Sequence, residues 1–376
     1  MRPRHSLAQI ALSGLLSALI GTAAHAVEVT VTNLVSDNPA LSPQLVDPSL
    51  VNAWGVSFSA TSPFWVSNNG TGTSTLYNVN PITQATTKVG LTVTIPGDGS
   101  VTGQVFNGGS GFNGNRFLFV SEDGTISGWR GALGTNAEIL VSPDPSNVYK
   151  GAAIATVAAD DYLYAANFST GKIDVIKGSV LAPNLTGNFT DPNLPAGYAP
   201  FNIQNINGVL YVTYALQGAG SDEQTGPGLG IVDRFDLNGN LLGRVATGGP
   251  LDAPWGLAIA PSSFGSLSGA LLVGNFGDGR VTAYDPLTNA MLGQLLDATA
   301  APLEIDGLWA LTVGNGGAGG STDGIYFTAG PDNETHGLFG LLSFLNENSG
   351  TVPEPGGLAL LALGLAGAAL SRRRRP

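Results

Sequence analysis

From Val27 onward the chain is a succession of short runs in which apolar residues alternate with polar ones or stand in unbroken groups, each bounded by Gly, Asn, Asp or Pro. Runs of this kind predict strands, half-buried where they alternate and buried on both faces where they are continuous. They also repeat. One type is headed by Trp54-Gly55-Val56, Thr102-Gly103-Gln104, Lys150-Gly151-Ala152, Phe201-Asn202-Ile203, Trp255-Gly256-Leu257 and Trp309-Ala310-Leu311, at spacings of 48, 48, 51, 54 and 54 residues. Each head is followed by a second run (64–67, 117–121, 162–166, 209–213, 270–274, 325–328) and a third (74–79, 125–129, 172–176, 230–237, 280–284, 337–344). A fourth is visible at 88–95, 137–141, 241–246 and 291–296.

Up to four antiparallel strands, repeated six times, predict an all-β fold, a six-bladed β-propeller. The sixth unit shows only three runs, whereas residues 27–35 form an alternating run that belongs to no unit. A propeller has unpaired edges at its seam unless one terminus completes the other. The N-terminal run is therefore expected to be the outer strand of the last blade and to close the ring.

Composition agrees with a turn-rich β protein: 54 glycines among 376 residues and only 11% charged side chains. Cysteine is absent, so packing and ring closure must hold the fold, and thiol chemistry is excluded. The two ends differ from the body. Arg2 and Arg4, an apolar run at 10–20 and Ala24-His25-Ala26 read as a secretory signal peptide over residues 1–26. Residues 27–350 form the propeller, and 351–376 a separate tail. With Arg2, Arg4, Glu354 and the four tail arginines set aside, nine basic residues face 26 acidic ones, a net charge near −17. Such a body is a poor partner for nucleic acid or anionic lipid and tolerates neutral sugars or cations.

In the tail, Pro353-Glu354-Pro355 precedes an apolar segment, 356–370, and the basic cluster Arg372 to Arg375. This order resembles the PEP-CTERM sorting signal. The resemblance implies an exosortase-type processing enzyme as partner, anchoring in the inner membrane before processing, and a final place on the surface or in the exopolysaccharide matrix of a Gram-negative bacterium. A plain C-terminal anchor gives the same topology. Within the body, Pro254 to Ile259, Leu271 to Asn275 and Arg280 to Asp285 resemble NHL repeats. With Asn52-Ala53-Trp54-Gly55, residues 65–78 and residues 330–340, the body is similar to a family of uncharacterised six-bladed propellers that carry PEP-CTERM tails. That family implies a fold and a location but no activity.

Three groups of residues are candidates for chemistry. The heads of the first strands, Trp54, Thr102, Lys150, Phe201, Trp255 and Trp309, should ring one mouth of the channel, where exposed aromatic faces stack on sugars; the alternative is that they plug the channel or pack between blades. The ends of the second strands, Asn68, Glu122, Asn167, Tyr214, Asn275 and Ala329, should form another ring. Related propeller lyases and lactonases hold a channel metal, and Asn68, Glu122, Asn167 and Asn275 are oxygen ligands that suit calcium; asparagines at strand ends equally cap turns. Glu334 and His336 lie in one loop, where they could act on a metal or a proton, or serve the loop alone. The polar insertion 218–230 either binds a partner or is mobile, and 236–240 reads as a hairpin turn.

The expectation is an exported surface or matrix propeller that binds a glycan or another exported protein without catalysis or cofactor. The alternative is an NHL-like hydrolase or lyase with a calcium-like metal in the channel. Exposed aromatics at a mouth favour the first, and convergent His, Asp or Glu side chains the second.

Overall fold

The structure, a computed structural model, describes residues 27–220 and 222–345. The segment 1–26 expected to be a signal peptide, Pro353, Glu354, Pro355 and the apolar segment 356–370 lie outside the described residues. No helix among the described residues is long and apolar enough to cross a membrane.

The described residues open with β1 (Val27–Ser36) and the short β2 (Leu45–Val46), and then form antiparallel meanders. Unit one is β3 (Ala53–Ser57), β4 (Phe64–Asn68), β5 (Thr73–Val79) and β6 (Thr86–Thr94). Unit two is β7 (Val101–Phe106), β8 (Phe117–Ser121), β9 (Ile126–Trp129) and β10 (Glu138–Val141). Unit three is β11 (Tyr149–Val157), β12 (Asp160–Asn167) and β13 (Lys172–Lys177). Unit four is β14 (Tyr198–Ile206), β15 (Val209–Gln217), the two-residue β16 (Glu223–Gln224), β17 (Ile231–Phe235) and β18 (Leu241–Thr247). Unit five is β19 (Pro254–Ile259), β20 (Leu271–Asn275), β21 (Val281–Tyr284) and β22 (Met291–Leu296). The last unit is β23 (Leu308–Val313), β24 (Ile325–Ala329) and β25 (Leu338–Phe344).

The first strands neighbour one another in the order β3, β7, β11, β14, β19, β23 and back to β3. This closed circle of inner strands is a β-propeller arrangement. The second strands β4, β8, β20 and β24 are buried at every position, because neighbouring units cover both their faces. That is why they read as continuous apolar runs. Outer strands such as β6 and β22 are half exposed and interrupt their apolar residues with polar ones.

β1 is the outer strand of the last unit, antiparallel to β25 from Val29↔Phe344 to Ser36↔Leu338. It does more than complete one sheet. Val27 and Glu28 pair in parallel with Leu295 and Leu296 of β22, joining units five and six into one sheet. Unit three has no fourth strand; the segment after β13 instead crosses to unit four, where Phe189 packs between Tyr164 and Phe235 at ring distances of 5.5 and 5.4 Å.

Each first strand carries a bulge at the head of the repeat. Tyr149 pairs with Asn167 and Gly151 with Ala166, leaving Lys150 unpaired. The same shift isolates Phe201 and Trp255, and it places Trp54, Thr102 and Trp309 in two-against-one steps. A bulge re-aims a side chain. Here Trp54, Lys150, Phe201, Trp255 and Trp309 turn towards one another at the axis, and Thr102 bonds to the next unit. The glycine that follows is fixed by close approach: a Cβ on Gly55 would lie 2.6 Å from Thr102 O, and one on Gly103 2.7 Å from Ala152 N. Where Asn202 replaces glycine, its Nδ2 donates to Trp255 O at 2.8 Å and links units four and five by a side chain.

Candidate functional site: the two mouths of the axis

The heads of the repeat meet in the interior. Trp54 stacks on Trp309 at 3.6 Å between centroids, and Trp255 stands edge-on to both at 6.4 and 6.0 Å. Phe276 stacks on the outer side of Trp309 at 4.1 Å, and Phe201 lies 5.8 Å away. Trp54, Thr102, Lys150, Phe201, Trp255 and Trp309 are each at most 4% exposed. An open aromatic platform is therefore not what these residues form. The bulges bring the aromatic heads into one channel, and three tryptophans fill it, packing the rings against each other with no face left for a ligand. Trp255 Nε1 donates to Lys150 O at 3.0 Å and Trp309 Nε1 to Asn52 Oδ1 at 3.1 Å, so the plug is pinned as well as packed. Thr102 Oγ1 donates to Tyr149 O at 2.7 Å, a bond between units two and three.

Above the plug, at the start of the first strands, lies a charged mouth. Lys150 Nζ donates to Glu122 Oε1 at 2.7 Å and stands 3.8 Å from Glu223 Oε2. The ammonium also lies over the rings of Trp54 and Phe168, 5.2 and 6.0 Å from their centroids, a favourable placement for a desolvated cation. Glu122 Oε2 accepts from Asn69 Nδ2 at 3.0 Å, and Glu334 Oε2 accepts from Asn52 Nδ2 at 2.5 Å. Asn52 thus ties Glu334 to the Trp309 indole.

The backbone is strained to achieve this. Asp332, Asn333 and Glu334 all lie in the left-handed region, with φ of 59°, 52° and 65°, at about 1–2 kcal/mol for each non-glycine residue. Glu223 arrives from another unit. β16 folds back on Leu216 and Gln217 of β15, and Glu223 reaches Lys150 from there. Burial pushes the Glu223 carboxyl up to about 7 although Lys150 pulls the other way. Among the described residues its Oε2 is buried without a hydrogen-bond partner. Burial likewise raises Glu334, opposed by Asn52 and Lys150. For Lys150 burial disfavours the charge, but Glu122 and Glu223 outweigh it and hold the ammonium above its ordinary value.

The second-strand ring does not assemble as expected. The register aligns Asn68, Ser121, Asn167, Tyr214, Asn275 and Ala329, so Glu122 stands one residue beyond that row. Successive residues point to opposite sides, and this single step decides the outcome. Glu122 faces the axis. Asn68, Asn167 and Asn275 are fully buried and turn into their own units, where they donate to Thr73 and Thr75, to Asn147 and Asp174, and to Pro250 and Asp278. They brace turns, and the proposed calcium ligands are not brought together. Among the described residues no group of three or more His, Asp or Glu side chains is placed to hold a metal ion. Glu334 and His336 also part company: His336 Nδ1 lies 2.8 Å from Asp37 Oδ2 at the seam, away from the Asn52 contact of Glu334. The segment 236–240 is a turn, with Asp236 N donating to Asn240 O at 3.0 Å.

On the far side of the plug the channel opens into a cavity of about 410 Å³. It is walled by the later residues of the first strands, from Gly55 in unit one to Thr312 in the last.

The tail matches the PEP-CTERM protein-sorting motif over residues 351–375. Two uncharacterised proteins of Acanthamoeba polyphaga mimivirus are similar to this chain: R648 is 31% identical over 318 residues, 78% of this chain and 75% of its own, and L690 is 31% identical over 340 residues, 83% and 85%. The chain belongs to the R648 family. Solved structures similar to this R648-family chain include the aldose sugar dehydrogenase of Escherichia coli, with 13% identity and a TM-score of 0.49 over 83% of this chain and 99% of that one. The PQQ-bound aldose sugar dehydrogenase of Streptomyces coelicolor has 14% identity and a TM-score of 0.47, over 85% and 99%.

Proposed function

We propose that the six units are the blades of a six-bladed propeller that is exported, held briefly at the inner membrane by its tail, and released by an exosortase-type enzyme to the cell surface or matrix of a Gram-negative bacterium. There it acts as a binding module for a glycan or another exported protein, a role that falls to the open cavity beyond the tryptophans, since the aromatic heads themselves are buried. The observation that carries this reading is the sorting motif at 351–375, set behind a self-closed body that ends with β25. A sorting signal of this kind implies export with membrane anchoring before processing. The test is mass spectrometry of the surface fraction. Protein that begins at Val27 and lacks the segment 356–370 supports the reading, and alanines at Pro353, Glu354 and Pro355 should hold the chain in the membrane fraction. Chains that keep Met1, or that lose their tail regardless of those alanines, overturn it.

One observation favours an NHL-like hydrolase or lyase instead. Glu122, Glu223 and Glu334 converge on the charged mouth, and a carboxyl that titrates near neutrality is suited to general acid and base work. Turnover of ester or lactone probes that disappears in Glu223→Gln while the fold persists would decide for that reading.

A further inference from the structure

The cavity beyond the tryptophans is uncharged. None of its lining residues is acidic or basic, in a body with 26 carboxylates and nine cations. Its wall is nevertheless polar. Each first strand is the end strand of its sheet and pairs on one side only, so its other edge turns backbone groups to the axis. Wall side chains already serve some of them, Gln104 Nε2 donating to Gly55 O, Asn205 Nδ2 to Ile154 O and Asn202 Nδ2 to Trp255 O, and the rest are open to a ligand. Gln204 and Thr312 add an amide and a hydroxyl. Val56 and Ile154 supply apolar surface between them.

We propose that this cavity binds an uncharged saccharide, about one or two pyranose rings in size, a volume within the usual range of ligand pockets. A sugar hydroxyl both donates and accepts, as a free strand edge does, whereas a charged group would surrender its hydration with no counter-charge in reach. The C–H face of the ring meets Val56 and Ile154. This inference rests on the reading of the protein as a binding module, and it supplies the site and the ligand class.

The test is calorimetric titration of the exported protein with maltose and cellobiose, beside glucuronate and glucosamine. Saturable binding of a neutral disaccharide, with the charged sugars weaker by about tenfold or more, is expected. Thr312→Asp, a half-exposed position on the wall, should weaken the neutral sugar by about tenfold with an unchanged melting temperature. Ala152→Phe should abolish binding by filling the space; if that variant does not fold, Thr312→Asp still decides. Equal binding of neutral and charged sugars, binding untouched by Thr312→Asp, or no neutral sugar bound up to its solubility would each overturn the proposal. The ends of the same preparation are read by mass spectrometry. Correctly processed protein that binds no sugar overturns the site alone, and unprocessed protein that binds overturns the export reading alone.

Discussion

Trp309 of the last unit lies flat on Trp54 of the first, 3.6 Å between ring centroids, so the two ends of the repeat are joined at the axis as well as at the rim. Both rings are buried, and Phe276 covers the other face of Trp309. Trp309→Ala should cost roughly 3–5 kcal/mol, as truncation of a buried aromatic does. Urea unfolding measures it. An unchanged midpoint would mean that the plug is not structural.

The charged mouth gives a second expectation. Lys150 is buried between Glu122 and Glu223, so Lys150→Met leaves carboxylates without their counter-ion and should destabilise by about 3–5 kcal/mol. Glu122→Gln in the same chain should recover part of that loss. A double-mutant cycle by urea unfolding reads the coupling, and strict additivity of the two substitutions would deny it.

Stability should also depend on pH in a defined sense. Glu223 titrates near 7 in the folded protein, raised by burial from an ordinary value of 4.5, and Asp233 near 6, raised by burial against the pull of Arg244. Between those limits the folded chain holds more protons than the unfolded one, so stability falls as pH rises and the loss is complete above about 7. Carboxylates held low, such as Asp285, titrate below that interval. The urea midpoint should be higher at pH 5 than at pH 8, and Glu223→Gln should flatten the difference. A variant with the wild-type slope would show that Glu223 does not titrate there.

Removal of residues 27–36 tests the seam. Val27, Val29, Leu34 and Val35 are each at most 2% exposed, and a buried aliphatic side chain is worth about 1.5–3 kcal/mol. The truncated chain should lose several kcal/mol and self-associate through the uncovered edges of β22 and β25. Light scattering and thermal melts check both effects. A monomer that melts with the intact protein would place the closure elsewhere.

Much of the ring was legible in the sequence, because the constraint that makes it is local and repeated. Gly55, Gly103, Gly151 and Gly256 recur because a Cβ at each would collide with the next inner strand or its side chain. The alternating run at 27–35 announced an outer strand. The sites were harder to read. The bulges that carry Trp54, Trp255 and Trp309 inward leave no mark in hydropathy, since an exposed and a buried tryptophan are the same letter. At the strand ends a one-residue offset put Glu122 among the asparagines, although it faces the opposite side. Glu223 lay in a Gly-rich insertion with no spacing that pointed across to Lys150, 73 residues earlier by number. For Asn52 a signal did exist: it stands two residues before a repeat tryptophan, as Ala253 does, and both adopt positive φ.

The pairing of β1 with β25 and β22 also sets a clock. The strand made first finds its partners only after residues 291–296 and 338–344 have been made, and bringing such distant segments together costs about (3/2)RT ln n in chain entropy. Contacts of such long sequence separation slow folding. Until the final strand arrives, the growing body carries an open flank and an orphaned leading strand, and the interval in which it is vulnerable to proteases and to its own copies lasts as long as the rest of the chain takes to appear.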